Sequence, residues 1–361
     1  MRIAFFGSSL VSSYWNGAAT YYRGLLRALA DRGHEITFFE PDAFDRQAHR
    51  DMPDPDWCNV EVYQPNELAC ERALRQARTA DLVVKASGVG VLDAFLEQAV
   101  LELQRRNRLV AFWDVDAPAT LERVSNDPSD PFRSLVPRYD AIFTYGGGQP
   151  VVKAYRAIGA RLCQPIYNAL DPATHHPVPP DPRFAADLSF LGNRLPDREQ
   201  RVHDFFLGPA AHLPDRTFLL GGAGWPGSVL PGNVRAIGHV GTDDHNAFNC
   251  SARAVLNIAR DSMARFGFSP ATRVFEAAGA GACLITDAWE GIETFFMPEE
   301  EILVAPDGNA VRSILETIDP ERAARIGAAA RRAALAHHTY AIRALEVEET
   351  LEGQNVGSVA G

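Results

Sequence analysis

The sequence predicts an α/β protein built from two parallel-sheet domains. Three observations carry this reading: short apolar runs recur along the chain, helix-spaced segments separate them, and a proline-rich break divides one such series from another. With 361 residues, 46% hydrophobic and 22% charged, the chain has the length and apolar content for two buried cores and is not a disordered polymer.

The elements follow in order. Met1 to Phe6 is a buried-strand run closed by Gly7. Ala18, Tyr22, Leu25 and Leu29 then fall on one helix face, Gly33 suits the helix end, and Glu35 to Phe39 reads as the next strand. This is a βαβ opening. Strands at Asp81 to Lys85, Leu109 to Trp113 and Ala141 to Tyr145 continue it, each ending in a polar or glycine-rich loop. Runs apolar on both faces and joined by helices predict a parallel sheet whose ligand loops share the carboxyl edge.

Between Asn168 and Asp187, prolines at 172, 177, 179, 180 and 182 exclude a helix or a central strand. The predicted organisation is therefore a first domain over 1–168, a linker over 169–187 and a second domain over 188–338. Residues 339–361 form a last helix, expected to cross back to the first domain, and a frayed tail from 354. Strands of the second domain are expected at Leu188 to Leu191, Thr217 to Leu220, Ala254 to Ile258, Cys283 to Thr286 and Ile302 to Val304.

A net charge of −11 disfavours a partner held by phosphate-backbone electrostatics, so no nucleic-acid partner is expected. The five cysteines are scattered and form no C-x-x-C pair, which signals neither a disulfide framework nor a zinc site and fits a reducing cytoplasm. No apolar run near the amino terminus is long enough for a signal peptide or a membrane span. The pairs His175-His176 and His337-His338 do not suggest a metal, because adjacent histidines cannot easily converge on one ion; they read as solvated linker and helix-end residues.

The segment from Phe268 to Asp287, FSPATRVFEAAGAGACLITD, is the richest in chemistry. Ser269 suits an N-cap and Pro270 the first helical position, leaving amides near Ala271 and Thr272 free for an anion. Arg273 adds a charged fork, and Glu276 follows on the same helix face, where a carboxylate can accept both hydroxyls of a ribose. The set suits a nucleoside diphosphate, although a plain surface ion pair on a capped helix has the same spacing.

Through TRVFEAAGAGACLITDAWEGIETFF (272–296), this sequence resembles the group 1 glycosyltransferases of GT-B fold, and within them the CgeB-like spore-maturation branch. NGAATYYRGLLRALADRGHEITFF, YNALDP, DLSFLGNRLPDR and LNIARD agree in order, so the resemblance spans most of the chain. It implies two Rossmann-like domains facing across a cleft, the second binding a nucleotide-diphosphate sugar and the first shaping the acceptor side, with neither metal nor cofactor. It places Glu276 on the donor ribose and Arg194 and Arg273 on the diphosphate, with Arg198 a weaker match. The E-x7-E pattern of many such enzymes is broken, since Phe268 stands where its first acid would be.

Other candidates are Asp116, a base for the acceptor hydroxyl in the loop Trp113 to Pro118, with Asp114 or Asp116 alternatively capping the next helix. Asn16 and Gly17 lie at the first strand-to-helix turn, Gly146 in a triple-glycine loop, and Gly222 in the loop before Trp225. The expected activity is transfer of a sugar from a nucleotide-diphosphate donor to an acceptor hydroxyl on a glycan, small molecule, lipid-linked carrier or protein. A nucleotide-sugar epimerase of similar fold and a catalytically degenerate nucleotide- or protein-binding relative are the alternatives.

Overall fold

The computed structural model of the chain describes residues 1–14, 16–225, 227 and 229–357. They divide into two compact units: residues 1–167 together with the chain from Tyr340 onward, and Asn168–Thr339.

The first unit holds β1 (Arg2–Phe6), β2 (Glu35–Pro41), β3 (Asn59–Tyr63), β4 (Leu82–Ala86), β5 (Leu109–Asp114), β6 (Ala141–Thr144) and β7 (Cys163–Pro165). Their order is β3-β2-β1-β4-β5-β6-β7, with every neighbouring pair parallel. All carboxyl ends therefore lie on one edge, where loops of such sheets bind ligands. The central strands are apolar on both faces because helices cover both; β4 is buried throughout, and its Lys85 is neutralised by Asp93 at 2.5 Å and Glu97 at 3.7 Å.

The helix Ala19–Asp31 buries Tyr21, Tyr22, Leu25, Leu26 and Leu29. The last helix, Tyr340–Gly357, belongs to this same unit. The two approach so closely that a Cβ on Gly24 would lie 2.2 Å from the Tyr340 ring, so glycine is needed in mid-helix despite its entropic cost. Arg32 donates to both oxygens of Glu348, at 2.9 and 2.6 Å, and His34 Nε2 lies 2.8 Å from one of them. The Arg32 bond holds the Glu348 carboxyl below the ordinary glutamate range. A depressed acid contributes stability above its unfolded value of about 4.3 and loses it as pH falls through the lower folded value. Amide exchange of the last helix is therefore expected to quicken below about pH 4, and a Glu348→Gln variant should lack that step.

The second unit holds β8 (Ala186–Leu191), β9 (Phe218–Gly221), β10 (Val234–Gly238), β11 (Ala252–Asn257), β12 (Leu284–Asp287) and β13 (Leu303–Ala305), in the order β10-β9-β8-β11-β12-β13, again all parallel. Leu188, Phe190, Leu220, Leu256 and Ile285 from its strands pack with Val311, Leu315 and Ile326 from its helices.

Ten of these strands lie where apolar runs predict them; β3, β7 and β10 do not. The last helix continues to Gly357, into the tail expected from 354, and residues 358–361 of that tail lie outside the described residues. No described helix is long and apolar enough to cross a membrane.

Candidate functional site

In the second unit the candidate residues gather around the helix Thr272–Gly279, which enters from the loop after β11 and leads into β12. The predicted Ser269 cap is corrected here. The helix begins two residues later than a Ser269-Pro270 start requires, with Ala271 at the N-cap in extended backbone and no side chain capping it. Ser269 is buried and its hydroxyl donates to the Gly267 carbonyl at 2.9 Å. The reason lies in the backbone before it: Gly267 and Phe268 both take positive φ, +69° and +46°, so the chain is still turning at Ser269. Phe268, standing in place of an acid, packs its ring where a Cβ on Gly291 would come within 2.2 Å of it.

The helix start is tied down by Asn168, a fully buried residue that sequence reasoning had not singled out within YNALDP. Its Nδ2 donates to the Pro270 carbonyl at 3.2 Å, and its Oδ1 accepts from the Thr272 hydroxyl at 3.1 Å. Thr272 thus spends its hydroxyl on the fold, leaving its amide, beside that of Ala271, as the part available to an anion.

Arg273 and Glu276 do share one face, with Arg273 Nη2 4.0 Å from Glu276 Oε2. Burial pulls the Arg273 pKa down, only partly offset by Glu276, yet a guanidinium so placed stays charged at neutral pH. Arg198 joins it: burial and the Arg273 charge lower its pKa as well. Arg198 lies against the Phe190 ring, 5.5 Å from its centroid, and donates to the Asn193 carbonyl at 2.7 Å. Among the described residues, Arg198 Nε and Arg273 Nη1 are buried donors without a partner. Two repelling cations with unmet donors constitute a demand for an anion.

Arg194, ranked above Arg198 by the resemblance, is turned elsewhere. It is exposed, and its Nη2 lies 2.5 Å from Glu199 Oε1, which raises its pKa. Gly222 is needed for packing: at φ +120° a Cβ there would lie 2.2 Å from the Gly192 carbonyl oxygen. Gly222→Ala is accordingly expected to destabilise the second unit by several kcal/mol, of order 3 or more, read as an early unfolding step in calorimetry. Trp225 is buried, and its Nε1 donates to the Gly192 carbonyl at 2.7 Å, so it is a core residue and offers no open stacking surface.

Two histidines that read as solvated are also buried. His338 packs among Phe275, Phe295 and Phe296 with Nε2 2.8 Å from the Phe295 carbonyl. His175 is 5% exposed and places Nε2 3.8 Å from Glu276 Oε1, whereas Arg273 approaches Oε2. His245, the first residue of the helix His245–Ser251, stands beside both. No sequence spacing links 175, 245 and 276; only the fold assembles them.

In the first unit, Asp114 and Asp116 close β5. Asp114 is fully buried and accepts from Ser87 Oγ at 2.8 Å, Thr120 Oγ1 at 3.0 Å, the Asp116 amide at 3.1 Å and the Tyr155 hydroxyl. Burial raises its pKa against those four donors. Asp114 is thus the structural carboxylate of the pair, steadying the start of the next helix. Asp116 occupies the N-cap position of Ala117–Asn126 with an exposed side chain that makes no cap hydrogen bond.

Asn16 serves its own loop: Nδ2 donates to the Ser9 and Ser12 carbonyls at 2.8 and 3.0 Å, and Oδ1 accepts from Ser8 at 2.8 Å. Among the described residues nothing lies within 4 Å of a would-be Cβ on Gly17, and its φ is not positive. Gly17→Ala is expected to leave the melting temperature unchanged within about 0.5 kcal/mol of stability. Gly146 is buried in the turn after β6, its carbonyl accepting from Thr144 Oγ1 at 3.1 Å.

Residues 198–349 match the family described as glycosyl transferase-like. Among curated proteins nothing matches the chain. Solved structures similar to it include sucrose-phosphate synthase from Thermosynechococcus elongatus, at 16% identity over 99% of this chain and 100% of that one, with a TM-score of 0.69. Anabaena HepE in complex with UDP-glucose is 16% identical over 98% and 100% of the two chains, with a TM-score of 0.68. An alpha-glucosyltransferase in complex with UDP and a 13-mer DNA is 12% identical over 98% and 99%, with a TM-score of 0.70. At such identities the likeness establishes the fold, which is GT-B. The family match over the second unit and the GT-B fold together support a glycosyltransferase.

Proposed function

We propose that the chain transfers a sugar from a nucleotide-diphosphate donor to an acceptor hydroxyl, with the donor held at the helix Thr272–Gly279. The observation that carries this is the pairing of two half-buried, mutually repelling guanidiniums, Arg198 and Arg273, with one carboxylate, Glu276, on the same helix face as Arg273. The cations suit a diphosphate and the carboxylate suits the two hydroxyls of a ribose. UDP is the first nucleotide to try, because similar structures hold UDP or UDP-glucose.

In the reaction, negative charge grows on the diphosphate as the glycosidic bond breaks. Arg198, Arg273 and the amides of Ala271 and Thr272 stabilise that charge without rearranging, and no step in this scheme calls for a metal or a cofactor. Asp116 is our candidate for the group that accepts the acceptor's proton; a place in the CgeB-like branch and a cytoplasmic setting, in keeping with five free cysteines, complete the reading.

Calorimetric titration with UDP tests the donor site. Arg198→Ala and Arg273→Ala are each expected to weaken binding at least about tenfold, the value of one lost charge-assisted hydrogen bond, whereas Arg194→Ala changes it little. Equal losses in all three, or none, would refute this assignment. Asp116→Asn should lower turnover while leaving UDP affinity intact.

A further inference from the structure

Glu276 is approached through Oε2 by Arg273 and through Oε1 by imidazole. Oε1 lies 3.8 Å from His175 Nε2, and one ligating atom from each of His175, His245 and Glu276 falls within 4.8 Å of the other two. A point central to three such atoms is no more than about 2.8 Å from each, against about 2.1 Å in a formed zinc site, so shifts of less than about 1 Å would complete one.

His175 Nε2 is buried and makes no hydrogen bond among the described residues, a cost that a bound cation would remove. The His245 ring lies over that of His175, with their centroids 6.5 Å apart.

We propose that His175, His245 and Glu276 form a binding site for a zinc-class divalent cation, occupied in place of the donor ribose. Two imidazoles and one carboxylate are a ligand set such ions favour, with a fourth position left for water. Oε1 of Glu276 would be the shared atom: it cannot both ligate a cation and accept from a ribose hydroxyl. The cation is an inhibitor on this account and takes no part in sugar transfer. The exclusion, though not the metal site itself, rests on the donor reading above.

The test begins with nucleotide-free, chelator-treated, untagged protein titrated calorimetrically with Zn2+. One equivalent is expected to bind, weakened at least about tenfold in both His175→Ala and His245→Ala, since a comparable loss follows removal of even an outer-shell partner of a metal ligand. Melting curves of the metal-free variants establish that they fold, and His245→Gln gives a second, milder removal of the ligand. The visible spectrum of added Co2+ reports tetrahedral coordination independently. No saturable binding, or binding that the folded variants retain, overturns the metal site.

UDP is then titrated with free Zn2+ held by a metal buffer at about ten times its dissociation constant. Apparent UDP affinity should fall about tenfold by mass action in the wild type and stay constant in His245→Ala. Zinc binding that leaves UDP affinity unchanged overturns the exclusion. Protein that takes zinc but never binds UDP overturns the donor reading, and the exclusion with it, and leaves the metal site standing.

Discussion

Glu276→Ala is expected to abolish discrimination for a nucleoside while leaving the attraction for phosphate. A ribose that loses Glu276 gives up two bonds to a charged acceptor, each contributing about 1.5–3 kcal/mol, so even one of them at the lower bound costs about tenfold in UDP affinity. The same substitution removes the only acidic group among those that set the pKa of Arg273, and leaves Arg198 and Arg273 with less neutralisation than before. Inorganic pyrophosphate should therefore bind the variant as well as the wild type or better, while UDP binds at least about tenfold worse. Parallel titrations with the two ligands check this. A variant that loses both equally has lost the helix and not the ribose contact. Glu276→Gln, which keeps the shape and one acceptor oxygen, should fall between.

The largest effect on stability is expected from Asp114→Ala in the first unit. The change deletes a buried carboxylate and strands four donors that now converge on it, from Ser87, Thr120, Tyr155 and the Asp116 amide. Removing one partner from a buried charged network costs about 3–5 kcal/mol, or about 6–20 °C in melting temperature for a unit of this size. The wild type should also carry a pH signature that alanine erases. Burial raises the folded pKa of Asp114 above the unfolded value of about 3.9, so the folded unit holds that proton more tightly. The contribution is complete below the unfolded value and is lost as pH rises through the folded one. A melting-temperature series from pH 4 upward measures the slope, which should be shallower in Asp114→Ala. Loss of activity in this variant would reflect unfolding, in contrast to Asp116→Asn, whose exposed side chain has no such partners.

The contrast between those two aspartates shows where sequence reading works and where it stops. The strand Leu109–Asp114 was legible because a central parallel strand is covered on both faces and must be apolar throughout. The three unpredicted strands, Asn59–Tyr63, Cys163–Pro165 and Val234–Gly238, are all sheet edges. NVEVY and VRAIG are only partly buried, and CQP is three residues long, so none carries a continuous apolar run. Arg273 and Glu276 were legible because helix spacing alone puts them on one face.

Ser269 was misread because a cap signal says nothing about the two left-handed residues before it. Arg198 was underrated beside Arg194 because spacing alone does not show that Arg194, in the loop before the helix Pro196–Val202, turns to Glu199 while Arg198, inside that helix, lies over Phe190. His175 and His245 were invisible as a pair: seventy residues apart, they meet only because the linker and the helix after β10 pack against the same buried glutamate.

The first unit is assembled from two stretches of chain, residues up to Tyr167 and those from Tyr340 onward, while the second is a single uninterrupted stretch between them. On the ribosome the order of completion is thereby inverted. The second unit has all its residues as soon as Thr339 emerges. The first, although synthesised earlier, must wait with the Tyr21 and Gly24 face of its opening helix uncovered until Tyr340 and the residues after it arrive. That waiting surface is aromatic and apolar, the kind that chaperones and neighbouring nascent chains bind. A stop codon placed just before Tyr340 would leave the second unit's sequence whole and strand the first half-built, so a truncation there would harm the unit that was synthesised earlier.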